Sequence, residues 1–156
     1  MKWNANPIFR YLSCILLSMN VALVAASAED YFGTAEETEK LTNQLIEIID
    51  QGGVEAGLNA IHDPKGPFQA SRLGIHILED GILVADSRDP ELELLSYAGV
   101  PDLNGLDLWE GMVASANASK DYPVLWYSYD DPDTIYLFTC AGKWQKQDHI
   151  MVWICR

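Results

Sequence analysis

Two basic side chains lie at even spacing around the start of the first strand-like segment. Arg72 and His76 are four positions apart, so an extended chain points both toward the same face of a sheet. An arginine holds a carboxylate through two parallel N–H···O bonds, and a nearby histidine adds a further donor. We therefore name Arg72 and His76 as the first candidates for holding a negatively charged ligand. The competing interpretation is an arginine in solvent and a histidine satisfied by the backbone.

Four aromatic residues are the other candidates for ligand contact. Tyr97 and Trp109 fall in a region of loop and short helix, whereas Trp126 and Tyr129 belong to a later strand-like segment, PVLWYSY. Because Trp126 and Tyr129 are three residues apart, a regular strand places them on opposite faces of the sheet unless it bulges. Core packing is the competing interpretation for Trp126 and Tyr129, and attachment of the insertion to the sheet is the competing interpretation for Tyr97 and Trp109.

The residue pattern disfavours metal binding and catalysis. His62 and Asp63 are neighbours with no third ligand spaced to join them, whereas tetrahedral metal sites need at least three protein ligands. The acidic turn with Asp130, Asp131 and Asp133 lacks the spaced ligands and central glycine of a calcium loop. No G-x-S-x-G nucleophile motif occurs, and no histidine has an obvious carboxylate to orient it. We predict no enzyme, no metal and no cofactor.

The first 28 residues have the pattern of a signal peptide. Lys2 and Arg10 precede a mostly apolar run, and Ala26-Ser27-Ala28 supplies a small-x-small cleavage site. Asn20 and several serines interrupt the run, which is too short for a membrane span. The expectation is a cleaved peptide 1–28 and a mature domain 29–156 in the periplasm or secreted, with no stable membrane anchor.

The mature chain is strongly acidic. Removing residues 1–28 takes away 2 of the 10 basic residues and none of the 23 acidic ones, which leaves a net charge of about −15. Such a surface repels phosphate backbones and anionic membranes. Nucleic acid is therefore not an expected partner.

Two cysteines, Cys140 and Cys155, remain after cleavage in a compartment where disulfides persist. We predict that they pair. A tight turn at QKQD would place Cys140 opposite about Trp153, two residues out of register, so the bond requires a bulge or a shifted register.

The hydrophobic periodicity predicts an α+β domain. A capping box of Thr34 and Glu37 opens an amphipathic helix that stops at Gly52-Gly53, and a shorter helical piece follows before Pro64. Asp80-Gly81 predicts a type I′ hairpin, Asp107 and Glu110 cap another helix, and three strands close the chain. We expect a five-stranded antiparallel sheet with a long N-terminal helix. The loop-and-helix insertion 88–119 would roof one face and enclose a pocket.

The order of these motifs resembles the single Cache domain family of extracytoplasmic sensors. The resemblance is carried by a helix ending in IHDPKGPF, the DG hairpin, DPEL, DLNG, and a W-x-x-Y strand followed by two closing strands. It implies a PAS-like sheet and small-molecule binding without chemistry, commonly of a short organic acid, between sheet and loop. Two departures stand out: Ala85-Asp86 replaces the family's His-Pro, and DDPDT lacks the lysine that often follows an Asn-Pro in the family.

Two functions remain open at this stage. The first is an exported, free-standing sensor or carrier domain that binds a small polar metabolite, with a short carboxylate as one candidate, and signals to a membrane receptor or transporter. The second is an acidic module that binds or inhibits another exported protein and has no small ligand. A real cavity lined by Arg72 and His76 would favour the first, whereas a collapsed aromatic core would favour the second.

Overall fold

The protein's structure, a computed structural model, describes residues 32–128, 131, 133–145 and 149–156. Gly33–Arg156 form one compact unit. The predicted signal peptide 1–28 and one predicted site residue, Tyr129, lie outside the described residues. None of the described helices is long and apolar enough to cross a membrane.

Helix α1 spans Ala35–His62 and contains one break. Thr34 accepts a hydrogen bond from the Glu37 N–H at 3.1 Å, which confirms the predicted cap. The predicted stop at the glycine pair appears as a kink, because Gly53 has φ 78° and ψ 179°, a conformation open mainly to glycine. Beyond the kink the helix packs back on its first half: a Cβ on Gly57 would lie 2.7 Å from Cγ1 of Ile49.

The DPKGPF segment reverses the chain after α1. The Asp63 side chain accepts a hydrogen bond from the Lys65 N–H at 3.0 Å, and the Gly66 N–H donates to the Asp63 carbonyl at 2.9 Å. A four-residue helix, α2 (Pro67–Ala70), follows and buries Phe68 to 1% exposure. The motif therefore anchors the start of the sheet to the core.

Five antiparallel strands form one sheet, as predicted. They are β1 (Gly74–Glu79), β2 (Ile82–Asp86), β3 (Tyr122–Tyr127), β4 (Ile135–Trp144) and β5 (Ile150–Cys155), in the spatial order β2-β1-β5-β4-β3. Asp80 and Gly81 join β1 to β2 with φ values of 49° and 82°, as a type I′ turn requires. Helix α3 (Leu108–Ala118) lies between β2 and β3 in the chain.

The predicted disulfide is present, and the predicted register was wrong by two residues. Cys140 lies directly opposite Cys155 with a Cα–Cα distance of 4.0 Å, and Gly142 is the residue opposite Trp153. The Gln145 N–H donates to the Ile150 carbonyl at 2.8 Å, so the strands stay paired one residue further than a turn at QKQD allows. No bulge is needed to form the bond.

The sheet separates two different layers. Alternate residues of β1 and β5 pack against α1 in one core cluster, as the period-two rule requires. That cluster contains Leu41, Leu45, Ile49, Ile61, Phe68, Leu73, Ile75, Ile77, Ala85, Ile150, Val152 and Ile154. The opposite face carries His76, Phe138, Trp153 and Cys155 and is covered by the insertion.

Both outer strands are covered by the insertion along part of their length. The segment 94–97 follows β2: the N–H of Leu83 donates to the Leu95 carbonyl, and the N–H of Leu94 donates to the Leu83 carbonyl. At β3, the Leu125 N–H donates to the Asp102 carboxylate at 3.2 Å, and the Leu125 carbonyl accepts from the Leu103 N–H at 3.0 Å. Neighbouring Pro123 has no N–H to offer. The outermost backbone groups at Leu83 and Leu125 are thus already paired.

Candidate ligand-binding site

A cavity of about 520 Å³ lies between the sheet and the insertion. This volume is in the range of small-molecule sites, which are concave and mostly apolar with a few convergent polar groups. The sheet contributes its floor from all five strands, and the insertion contributes its roof. The lining residues are His76, Asp86, Arg88, Asp89, Leu92, Tyr97, Leu108, Met112, Val124, Trp126, Tyr127, Ser128, Phe138, Trp153 and Cys155.

His76 lies on the cavity floor, on the face of β1 opposite the α1 core. Its Nδ1 lies 3.1 Å from the carbonyl oxygen of Trp153 on β5. Its Nε2 lies 3.4 Å from Oδ2 of Asp86 on β2. A carbonyl only accepts, so Nδ1 carries a hydrogen. The two neighbouring strands therefore fix the orientation of the ring.

Asp86 ends β2 and organises the turn that follows. Its Oδ1 accepts hydrogen bonds from the N–H of Arg88 at 2.7 Å and of Asp89 at 2.9 Å, the pattern of an Asx turn. Its own N–H donates to Oε1 of Glu93 at 2.9 Å, and Glu93 also lies 2.7 Å from Nε2 of His62. Asp86 thus connects the cavity floor to the insertion, and Glu93 connects the insertion to the end of α1.

Arg88 brings a cationic group to the cavity. Its Nε donates to the Leu73 carbonyl at 3.1 Å, and its Nη2 donates to the Ser71 carbonyl. Within the described part of the chain, no carboxylate lies within 4.0 Å of its guanidinium. The side chain is half-buried and fixed by main-chain contacts, so its charge is positioned without being neutralised by an ion pair.

Tyr97 reaches the cavity from the roof. Burial, and then the nearby charges of Asp86 and Asp89, raise the pKa of its phenol well above the usual value. The hydroxyl therefore keeps its hydrogen at any physiological pH. The Tyr97 N–H donates to the Gly81 carbonyl at 2.8 Å, so the ring is held beside the hairpin and offers a neutral donor.

Asp102 attaches the insertion to β3. Its Oδ1 accepts from the N–H groups of Asn104 at 2.8 Å and Leu106 at 2.9 Å, and its Oδ2 accepts from Leu125. Burial alone would raise the pKa of Asp102, but the backbone donors at Leu106, Leu125 and Asn104 outweigh it and lower the pKa below its ordinary value. The ionised carboxylate of Asp102 therefore attaches the insertion to β3.

Helix α3 completes the roof and packs closely on β4. The Ser115 hydroxyl accepts from the Gly142 N–H at 3.1 Å, and a Cβ on Gly142 would lie 3.1 Å from the Met112 carbonyl. A larger residue at Gly142 would push the helix away. The cap predicted at Asp107 is present, since its Oδ1 accepts from the Glu110 N–H at 2.8 Å.

Three of the six predicted contact residues line the cavity: His76, Tyr97 and Trp126. Arg72 is exposed and precedes β1, outside the lining. Trp109 is half-buried outside the lining and packs edge-on against Trp144, with ring centroids 6.0 Å apart. Tyr129 is not among the described residues.

Arg88 is the cavity cation that the sequence interpretation missed. Alternation along a strand cannot place a side chain that follows the strand's last residue. The signal for it is Asp86 followed by Arg88 and Asp89, because an aspartate often accepts from the N–H two residues on and so turns the chain. Among the described residues, no group of three or more histidine, cysteine or acidic side chains is placed to hold a metal ion.

Comparison with known proteins identifies relatives in structure alone. No protein-family model matches the chain, and no curated protein matches it by sequence. A methyl-accepting chemotaxis protein from Vibrio parahaemolyticus RIMD 2210633 matches with a TM-score of 0.61 and 12% identity over 90% of this chain and 95% of that one. A periplasmic sensor domain of a chemotaxis protein matches with a TM-score of 0.59 and 16% identity over 90% and 96%.

A third structure describes carboxylic acid recognition by a Cache chemosensory domain. It matches with a TM-score of 0.55 and 13% identity, covering 97% of this chain and 98% of that one. Identities this low establish the fold and leave the ligand open. The chain thus has the fold of the single Cache-type, PAS-like sensor domains found in chemoreceptors.

Proposed function

We propose that this protein is an exported sensor or carrier domain that binds a small polar metabolite bearing a carboxylate. The site is the cavity between the sheet and the insertion. The observation that carries the proposal is Arg88, a fixed and half-buried guanidinium in the cavity wall with no carboxylate within 4.0 Å in the described part of the chain.

The geometry of Arg88 suits an anionic ligand. Main-chain carbonyls hold Nε and Nη2, which fixes the guanidinium plane before any ligand arrives and lowers the entropic cost of binding. Nη1 retains its donors for a carboxylate. Tyr97 adds a hydroxyl donor from the roof, and the apolar walls exclude water around the charged groups, which strengthens their attraction.

The cavity favours this function over the acidic interaction module. A vestigial pocket would have collapsed onto its aromatic residues, whereas Trp126, Phe138 and Trp153 line an open volume of about 520 Å³. A void of that size forfeits packing contacts in an unliganded domain. Binding of a ligand would restore them.

Export and signalling complete the proposal. The pattern of residues 1–28 supports cleavage and delivery to the periplasm or beyond, and the fold is one that chemoreceptors use for sensing. We infer that the occupied domain acts on a membrane receptor or transporter and catalyses no reaction. The net charge of about −15 on residues 29–156 disfavours nucleic acid as a partner.

The test is a thermal-shift screen of residues 29–156 against short carboxylates, amino acids, amines and ureas, followed by calorimetry of the hits. A ligand at a hundredfold excess over its Kd stabilises the folded state by about 2.7 kcal/mol. We expect acids to be the hits. No stabilisation by any compound, with folded and empty protein, would refute the proposal.

Substitutions at two arginines locate the site. Arg88→Gln should weaken acid binding at least tenfold, whereas Arg72→Gln, which removes the same charge outside the cavity, should leave it unchanged. Arg88→Lys keeps the charge and loses the planar fork, so an intermediate affinity is expected. Loss of binding in Arg72→Gln with retention in Arg88→Gln would restore the sequence-based prediction and reject the structural one.

A further inference from the structure

Among the described residues, helix α1 covers only one half of its face of the sheet. The core cluster beneath α1 takes its strand residues from β1, β2 and β5. Helix α1 meets β4 near the end of that strand, where Nζ of Lys143 donates to Oδ1 of Asn43 at 2.6 Å. The first part of β4 and the adjoining strand β3 therefore lie beyond the helix.

Strand alternation identifies the side chains on this uncovered half. Val124, Trp126 and Phe138 line the cavity, so their neighbours in sequence point to the opposite face of the sheet. The register arranges these neighbours in three facing pairs. We call them the apolar strip: Pro123 with Thr139, Leu125 with Leu137, and Tyr127, which also borders the cavity, with Ile135.

The apolar strip is open to solvent. Tyr127, Ile135 and Leu137 are 44%, 51% and 64% exposed. Leu103, whose N–H donates to the Leu125 carbonyl, adds a residue that is 38% exposed beside the edge of β3. A large residue has an accessible area on the order of 200 Å², so these four residues together expose roughly 400 Å².

The exposed area is comparable with what a dimer needs. A standard protein interface covers about 800 Å² of each partner, and about 60% of that area is apolar. The apolar share is therefore roughly 500 Å² per partner. The strip and Leu103 supply most of this share, and Pro123, which is also exposed, adds to it.

The charge distribution favours a second copy over a different partner. None of the six side chains of the strip is charged, although residues 29–156 carry a net charge of about −15. A partner attracted by that charge would be basic and would need acidic groups in the contact surface. Two copies need none, because the strip of one packs on the same strip of the other about a twofold axis and no charge loses its water.

We propose that two copies of this chain pack their apolar strips face to face and form a dimer. The outermost backbone groups at Leu83 and Leu125 are already paired within the chain, so the contact adds no strand to either sheet. A twofold contact between identical surfaces closes after two copies, and the dimer is therefore the end point. The dimer does not require a ligand in the cavity.

Sedimentation velocity of residues 29–156 tests the proposal. Between about 1 and 500 µM the protein should pass from monomer to dimer, with a midpoint on the order of 10 to 100 µM, because the apolar area is modest and two acidic bodies repel each other. Raising NaCl from about 0.15 M to about 0.5 M should strengthen the dimer, since salt screens this repulsion. A dimer that salt weakens would be held by opposite charges, and that result would overturn the proposal.

Lysine substitutions at two exposed leucines locate the contact. Leu137→Lys places a charge within the strip and should weaken the dimer at least tenfold, because that charge would have to be desolvated. Leu94→Lys is the matched control: Leu94 is 81% exposed in the segment beside β2, and its variant should dimerise like the unaltered protein. Both substitutions reduce the net negative charge equally, so a change in general repulsion cannot account for a difference between them. Circular dichroism and an intact disulfide establish that each variant is folded.

The other outcomes reject the proposal. A single monomeric species at every concentration would overturn it. A dimer that persists in Leu137→Lys would place the contact on another surface and would overturn it as well. Neither result bears on acid recognition, because Leu137 lies outside the cavity lining.

Discussion

The two faces of the sheet are formed by the same strands, but one face is covered by a filled core and the other borders a cavity. On the α1 face, Leu45, Ile75, Ile77, Val152 and Ile154 are all fully buried in one continuous core. On the other face, the side chains between them in sequence, including His76 and Trp153, surround a cavity of about 520 Å³. Because side chains alternate along a strand, each strand contributes about as many side chains to one face as to the other.

The covering layers account for the difference. Helix α1 presents apolar residues at helical spacing. They form one continuous apolar face, which packs against the sheet and fills the space between helix and sheet. The insertion that covers the other face is mostly irregular chain fastened at a few points, such as Asp102 and Glu93. A loop attached at a few points holds its shape without filling the space beneath it, and a cavity is the result.

The largest expected effect compares matched leucines on the two faces. Leu45→Ala, in the filled core, should cost about 3 to 5 kcal/mol of unfolding free energy, in the upper part of the range for buried leucines. Leu108→Ala, in the cavity wall, should cost less than about 2.5 kcal/mol, because a residue beside a void has fewer contacts to lose. Urea unfolding measures both. Equal costs would contradict the contrast between the faces.

Next in size is the disulfide in the cavity wall. Replacing Cys140 and Cys155 by alanine together should cost about 3 kcal/mol, the value expected for a loop of some 15 residues. Thermal and urea unfolding of the oxidised protein, the reduced protein and the double variant provide the test. The reduced protein should resemble the variant. An unfolding midpoint that does not change on reduction would show that the Cys140–Cys155 disulfide does not stabilise the folded protein.

A smaller effect is expected where the roof is fastened. Asp102→Asn should cost about 1 to 3 kcal/mol at neutral pH, because a charged acceptor of three N–H groups is lost. The folded-state pKa of Asp102 is lowered, so its contribution is present above the unfolded value of about 3.9 and is lost as pH falls through the folded value.

Urea unfolding of the wild-type protein and the variant across pH checks this. Their stabilities should differ at pH 7 and converge in acid. Asp133→Asn, in an exposed turn, is the matched control and should differ little from the wild-type protein. A gap of constant size at all pH values would show that the charge of Asp102 is not what fastens the roof.

The smallest expected effect sharpens the description of the cavity itself. Propionate, butyrate and valerate should bind with increasing affinity, by about 0.8 kcal/mol for each buried methylene group, because apolar walls surround the volume beyond Arg88. Calorimetry gives the series. An affinity that declines from propionate to valerate would mean that only a small part of the cavity accepts ligand.

Local sequence signals predicted the parts of the fold that local chemistry controls. Thr34, the Asp80-Gly81 turn and Asp107 cap or turn the chain where expected, since each acts within a few residues. The α+β class and the five antiparallel strands follow from the change of hydrophobic period. His76, within a strand, could be placed on the cavity face by alternation alone.

The rest depends on contacts between distant segments. The β4–β5 register, which sets Cys140 opposite Cys155, is decided by one further pair, Gln145 with Ile150, and the turn sequence alone does not reveal it. Arg88 reaches the cavity wall because Ser71 and Leu73 accept its hydrogen bonds. Arg72 lies before the first strand pair, so the alternation argument did not apply to it. No short-range pattern contains this information.

The covered margins of the sheet bear on how the protein avoids edge-to-edge pairing with other copies of itself. A free strand edge is a template on which another chain adds a strand, and such addition leads to swapped dimers and fibrils. Here the chain has already added its own segment beside Leu83 and has fastened Asp102 at Leu125. The same insertion that shapes the ligand cavity therefore also protects the domain from self-templated aggregation.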